Sequence, residues 1–150
     1  MPKPFFYDKI RRMKRYEQFP HTADIGVRAY GKDLQELFAN AAFAMFDIIA
    51  DLEGLKGTIE QEFELTAGNP EELLVAWLDE LLYNFYTREI IFFKFDITQI
   101  SDNKIKARAF GRSVGANRNR LKTEIKAATY SDLAIKKSAA GYSVEIIFDI

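Results

Sequence analysis

An α+β two-layer sandwich, with a largely antiparallel or mixed sheet and two main helices on one face, is the fold class the sequence predicts. Three observations predict it. Two segments repeat apolar residues at helical spacing, each preceded by a residue able to cap a helix. Several short segments alternate apolar and polar residues with a period of two. Turn-like stretches join them without a linker, a low-complexity run or a repeat, so the 150 residues read as one domain. The predicted order is roughly ββαβαββββ.

Arg15 to Phe19 reads as a first short strand, and Pro20-His21-Thr22-Ala23-Asp24 as a turn. Ile25, Val27 and Ala29 then alternate with Gly26, Arg28 and Tyr30, and Gly31 ends that strand. Asp33 followed by Glu36 is a capping-box pattern. Leu34, Leu37, Phe38, Ala41, Met45, Ile48 and Ile49 recur behind it at helical spacing, and Phe43 and Phe46 widen the apolar face. A face that broad predicts cover from more than one element. Residues 58–65 place Ile59, Gln61, Phe63 and Leu65 on one side of a strand and Glu60, Glu62 and Glu64 on the other.

Asn69-Pro70-Glu71-Glu72 is a second helix start, with a cap, a proline suited to the first turn and acids at the positive end of the dipole. Leu74, Trp77, Leu78, Leu81 and Phe85 form its apolar stripe, and Trp77 is assigned to the core. Phe93, Phe95 and Ile97 alternate with Lys94, Asp96 and Thr98, and Ile105, Ala107 and Ala109 with Lys104, Lys106 and Arg108, as a hairpin. Gly111 to Asn119 reads as a loop and Glu124 to Lys136 as mostly extended. In a last strand from Tyr142 to Ile150 the even positions, Ile150 included, look inward.

Composition excludes several chemistries. The chain has no cysteine and a single histidine, His21, so thiolate zinc sites, iron–sulfur clusters, disulfide scaffolds and multi-histidine metal sites are out. The net charge of −1 conceals segregation: residues 17–80 hold 14 acids against three bases, and residues 81–150 hold 12 bases against seven acids. Differently solvated faces explain this most simply. The functional alternative is an acidic face for a cation and a basic face near an anion. Apolar runs such as Ile90-Ile91-Phe92-Phe93 are too short to span a bilayer, so no membrane role is expected and a cytoplasmic location is.

Two features invite chemistry. One is the polar turn His21-Thr22-Ala23-Asp24. The other is the chain end, where strand residues run to Phe148 and Asp149-Ile150 places two carboxylates within one residue. Such oxygens need solvent, a basic group or a hard cation. With one histidine and no cysteine, a metal site here is all-oxygen, favouring calcium or magnesium over zinc. Gly111-Arg112-Ser113-Val114-Gly115 lacks the Gly-Lys-Ser/Thr ending and following helix of a phosphate loop.

Tyr16-Glu17 leading into Phe19-Pro20-His21-Thr22-Ala23-Asp24-Ile25-Gly26-Val27 resembles the opening signature of the archease family. Glu124-Ile125-Lys126-Ala127-Ala128-Thr129-Tyr130 resembles its second block, and Ile147-Phe148-Asp149-Ile150 its ending. The resemblance covers about residues 13–150, leaving residues 1–12 as an N-terminal extension. It implies a non-catalytic cofactor of the RtcB-type RNA ligase, promoting guanylylation of the ligase histidine and multiple turnover in tRNA splicing or RNA repair. It further implies a calcium-like cation, with magnesium as the alternative, held by Asp24, Asp149 and Ile150, and a ligase-activating role for Lys126. The family pattern carries acids and histidines where this chain has Arg112, Gly115, Asn119 and Ser131.

Two other classes are carried alongside. A small metal-dependent phosphoester hydrolase would have only His21 as an obvious neutral-pH base. An RNA-binding accessory module would use Lys104, Lys106, Arg108, Arg112, Arg118 and Arg120. By strand alternation, Lys126 is expected on one face with Glu124, Ala128 and Tyr130.

Overall fold

The computed structural model describes residues 14–130 and 132–150, and the expected extension over residues 1–12 lies outside them. Strands β1 (Tyr16–His21) and β2 (Asp24–Gly31) form an antiparallel hairpin closed by Thr22-Ala23, with Ala23 at φ 60°. Helix α1 (Leu34–Ile49) follows, then β3 (Ile59–Thr66), helix α2 (Pro70–Arg88) and the hairpin β4 (Ile90–Ile100) and β5 (Lys104–Ser113). A 3-10 segment (Gly115–Arg120) leads to β6 (Ala127–Ala128), β7 (Ile135–Ser138) and β8 (Gly141–Asp149).

The fold is α+β and its strand pairs are antiparallel. The strands form two sheets rather than one. The larger runs β1-β2-β8-β6, with β7 also pairing β8, and the smaller runs β3-β5-β4. Helix α1 packs on β2 and β4, one strand from each sheet, which is why its apolar face is so broad. Phe38, Phe46, Trp77, Phe92 and Phe148 are fully buried between these layers. The Trp77 indole N–H donates to the Phe38 carbonyl at 3.1 Å, tying α2 to α1.

Both helix starts have the expected chemistry. The Asp33 carboxylate accepts from the Glu36 amide at 2.8 Å, and the Asn69 side chain accepts from the Glu72 amide at 2.8 Å. Each cap satisfies an amide that the first turn leaves without an intrahelical partner.

Several local expectations change: the predicted turn over residues 20–24 narrows to Thr22-Ala23, since Pro20 and His21 extend β1 and Asp24 opens β2. A bulge between Phe92 and Lys94 makes Phe92 the buried residue in place of Phe93, because one extra residue inverts the alternation behind it. The stretch from Gly111 to Asn119 is not all loop, since β5 continues to Ser113 and the 3-10 segment follows. Glu124 to Lys136 is extended only in pieces: β6 pairs the end of β8 and β7 its beginning, with Asp132 at φ 54° between them. Finally, Ile150 is 40% exposed, beyond the β8 ladder that buries Phe148.

The segregated charges meet across the smaller sheet. Register pairs Glu62 with Arg108 and Glu64 with Lys106. Glu64 lies 3.1 Å from Lys104 and 3.5 Å from Lys106, while Arg108 contacts Glu60 at 3.3 Å and Asp96 at 2.9 Å. The acidic stripe of β3 and the basic stripe of β5 therefore neutralise one another.

Candidate functional site

Asp24 opens β2 straight after the two-residue turn, and Asp149 closes β8. In the antiparallel ladder Ile25 faces Phe148. One step further along that register sets Asp24 opposite Asp149. Phe148 points into the core, so alternation sends both carboxylates to the outer face of the large sheet. His21 pairs with Asp24 across the hairpin, its Nδ1 3.7 Å from the carboxylate. Ala127 lies opposite Asp149 on the other side. The row across the sheet is thus His21, Asp24, Asp149 and Ala127.

The next rows on this face hold the three strands in register. Gly26 lies under Phe19, whose ring comes within 2.2 Å of where a Cβ would stand. Beyond it Arg28 bridges Glu17, at 3.0 Å, and Glu145, and the Tyr30 hydroxyl donates to Glu17 at 2.5 Å. The hydrogen bond from Tyr30 and the nearby Arg28 hold the Glu17 carboxyl below its ordinary range. The carboxylate row is thereby placed by a backbone ladder and an ion network, not by a mobile loop.

Lys126 reaches the same strand end by another route. Its amide donates to the Asp149 carbonyl at 2.7 Å. Its ammonium is exposed and, among the described residues, has no carboxylate within ion-pairing distance. The expected alternation around it fails: Ile125 and Ala128, three residues apart, are both buried, because the chain joins β8 only at Ala127. The structure therefore gathers Asp24, Asp149, the Lys126 backbone and Ile150 at one end of one sheet. Among the described residues no group of three or more His, Asp or Glu side chains is placed to hold a metal ion.

Two contacts around this segment have no counterpart in the sequence reading. The Tyr86 hydroxyl donates to the Ile125 carbonyl at 2.6 Å, and the Asp79 carboxylate accepts from the Ala128 amide at 3.0 Å. Both side chains come from α2, where sequence periodicity assigns only apolar residues to packing. The available signal was that Asp79 and Tyr86 are seven residues apart and so share a face.

The arginines at the end of β5 and after it are engaged elsewhere. Arg112 donates to the Lys56 carbonyl, Arg120 to the carbonyls of Asp51 and Glu53, and Arg118 pairs with Glu89 at 2.6 Å. No helix among the described residues is long and apolar enough to cross a membrane.

Known proteins place this architecture. The model of the Archease protein family (MTH1598/TM1083) matches residues 16–150. Protein archease of Methanosarcina mazei is 43% identical over 141 residues, covering 91% of this chain and 97% of that protein. Protein archease of Sulfolobus acidocaldarius is 32% identical over 139 residues, covering 92% and 100%. The solution structure of Methanobacterium thermoautotrophicum protein 1598 superposes with a TM-score of 0.73 at 32% identity, covering 91% of this chain and 99% of that one. The crystal structure of an archease from Thermotoga maritima shares the fold, with a TM-score of 0.60 at 21% identity over 89% and 96%. With the family match running from β1 through the carboxylate row at the end of β8, the chain belongs to the archease family.

Proposed function

We propose that the chain is a non-catalytic activator of an RtcB-type RNA ligase. In this role it promotes ligase guanylylation and multiple turnover in tRNA splicing or RNA repair, with a hard cation held by Asp24, Asp149 and the carboxylate of Ile150. Family membership supports the ligase part of the reading. The observation that carries the cation part is the pairing of Ile25 with Phe148, a register that, continued one step, sets Asp24 opposite Asp149. Like charges directly opposite across a strand pair are destabilising, so this arrangement costs the sheet stability unless a positive charge offsets it.

The donor set fits a hard cation. It is all oxygen and spans two chain segments, which suits calcium or magnesium and not zinc. When bound, the cation supplies a fixed positive charge at the sheet end. The chain's own residues do the rest: the β1–β2 turn presents Asp24, the β8 ladder presents Asp149, and exposed Lys126 contacts the ligase beside them.

Calcium titration of the native chain, Asp149→Asn and a Gly-Ser extension after Ile150 tests the site. A unit charge pair near 4 Å is worth about 4 kcal/mol at an effective dielectric of 20, and about 1.4 kcal/mol is a factor of ten. Each variant is expected to bind calcium at least about tenfold more weakly. Equal affinity in all three would sink the cation site. Guanylylation and multiple-turnover ligation by the ligase of the same organism, with and without the chain, test the activity. Lys126→Ala should fold normally and stimulate poorly at subsaturating concentration. Absence of any stimulation by the native chain would overturn the ligase reading.

A further inference from the structure

Asp79 and Tyr86 stand seven residues apart on α2, two helical turns along one face. Their side chains bracket the dipeptide Lys126-Ala127. On one side of it Tyr86 Oη donates to the Ile125 carbonyl at 2.6 Å, and on the other the Ala128 amide donates to Asp79 Oδ1 at 3.0 Å. One free backbone acceptor and one free backbone donor are thus met by a hydroxyl and a carboxylate. Across the segment, the Lys126 amide donates to the Asp149 carbonyl at 2.7 Å and the Thr129 amide to the Ile147 carbonyl at 3.0 Å.

The side chains of Ile125 and Ala128 are buried in the core, but the backbone of this stretch has few other hydrogen-bonded ties. The preceding anchor is the Lys122 amide on the Ile49 carbonyl at 2.7 Å. Between Lys122 and Ile125 the chain borders an open cleft of about 390 Å³, and the strand it joins is two residues long. A two-residue ladder at a sheet edge is a weak restraint by itself. The clamping groups are suited to the task. Burial pushes the Tyr86 hydroxyl up from its ordinary range, so it remains a protonated donor. Asp79 accepts from this amide and has no cation beside it among the described residues, so it serves no ion pair within the fold.

We propose that Asp79 and Tyr86 are positioning residues that clamp residues 125–128 between α2 and β8. The clamp presents Lys126 and the Asp149 strand end to the partner as one rigid unit. The inference rests on the reading of Lys126 and Asp149 given above. It assigns the precision of the surface to two side chains that act through the backbone of residues 125–128.

Amide hydrogen exchange and ligase stimulation, measured on the full chain, test it with Tyr86→Phe, Asp79→Ala and Asp79→Asn. Losing one hydrogen bond from a locally opening segment should speed exchange about tenfold. That increase is expected at Ala128 in Asp79→Ala and at Lys126 in Tyr86→Phe, with the Ala29 and Val144 amides unchanged. The same two variants should raise the concentration for half-maximal stimulation while keeping the maximum. Asp79→Asn retains an acceptor oxygen and should behave like the native chain. Unchanged exchange at Lys126 and Ala128 would overturn the clamp. Faster exchange with unchanged stimulation would overturn its link to the partner. A native chain that stimulates no ligase overturns the functional reading instead, while the exchange arm still decides whether the clamp exists.

Discussion

At the scale of single residues, Asp79 illustrates how a useful contact and a stability cost coincide. Burial pushes its carboxyl up from the ordinary range, and the Ala128 amide only partly opposes that. A folded-state value raised above the unfolded one gives stability that is full below the unfolded pKa, near 3.9, and is lost as pH rises through the folded value. Asp79→Asn should therefore raise Tm at pH 7, with the gain vanishing as pH falls towards 4. Thermal melts at the two pH values check the sign. Gly141 is a second decisive residue, with φ at 122° and the Gly31 carbonyl oxygen 2.4 Å from where a Cβ would sit. Both backbone strain and a clash with main chain follow from any side chain there, so Gly141→Ala should cost about 1–3 kcal/mol in urea unfolding.

At the scale of elements, the helices are specified locally and anchored globally. Replacing the Asn69 cap by Ala leaves the Glu72 amide without its partner and should cost about 1 kcal/mol, read as a lower urea midpoint with the slope unchanged. Trp77→Ala should cost about 3–5 kcal/mol, because it empties a fully buried site and frees the Phe38 carbonyl. The caps were legible because capping depends on side chains a few residues from the amides they serve. The Phe93 bulge was not, because the pairing of β4 with β5 decides which residue is extruded. The same reason hid β6, whose two residues are strand only where β8 offers an edge.

At the scale of the whole molecule, the acidic and basic parts of the chain turn out to be partners. The cations Lys104, Lys106 and Arg108, which the RNA-binding reading needed, face Glu60, Glu64 and Asp96 on neighbouring strands. The chain alone should thus bind single-stranded RNA weakly, with a shallow salt slope in a filter-binding titration. A steep slope with tight binding would revive the RNA module. Removal of residues 1–12 should leave Tm and calcium affinity nearly unchanged, since the family match begins at residue 16. A drop of several degrees would show that those residues contribute to the fold.

Some of this protein was determined by sequence alone. Period-two and helical spacing marked β2, β3, α1, α2 and β8, because those patterns follow from local backbone geometry and the demand for one buried face. The capped helix starts and the assignment of Trp77 to the core came from the same short-range logic. Asp24 and Asp149 could be named from their motifs, yet 125 residues of sequence separation carry no distance information. Only the β2–β8 register, which pairs Ile25 with Phe148, brings the two strand ends that carry them together. Likewise nothing in the sequence ties Asp79 and Tyr86 to residues 125–128 until α2 packs against the segment they hold. Sequence decides which faces must be buried, but pairing register and the contacts of irregular backbone are set by the rest of the chain, and only the tertiary structure contains them.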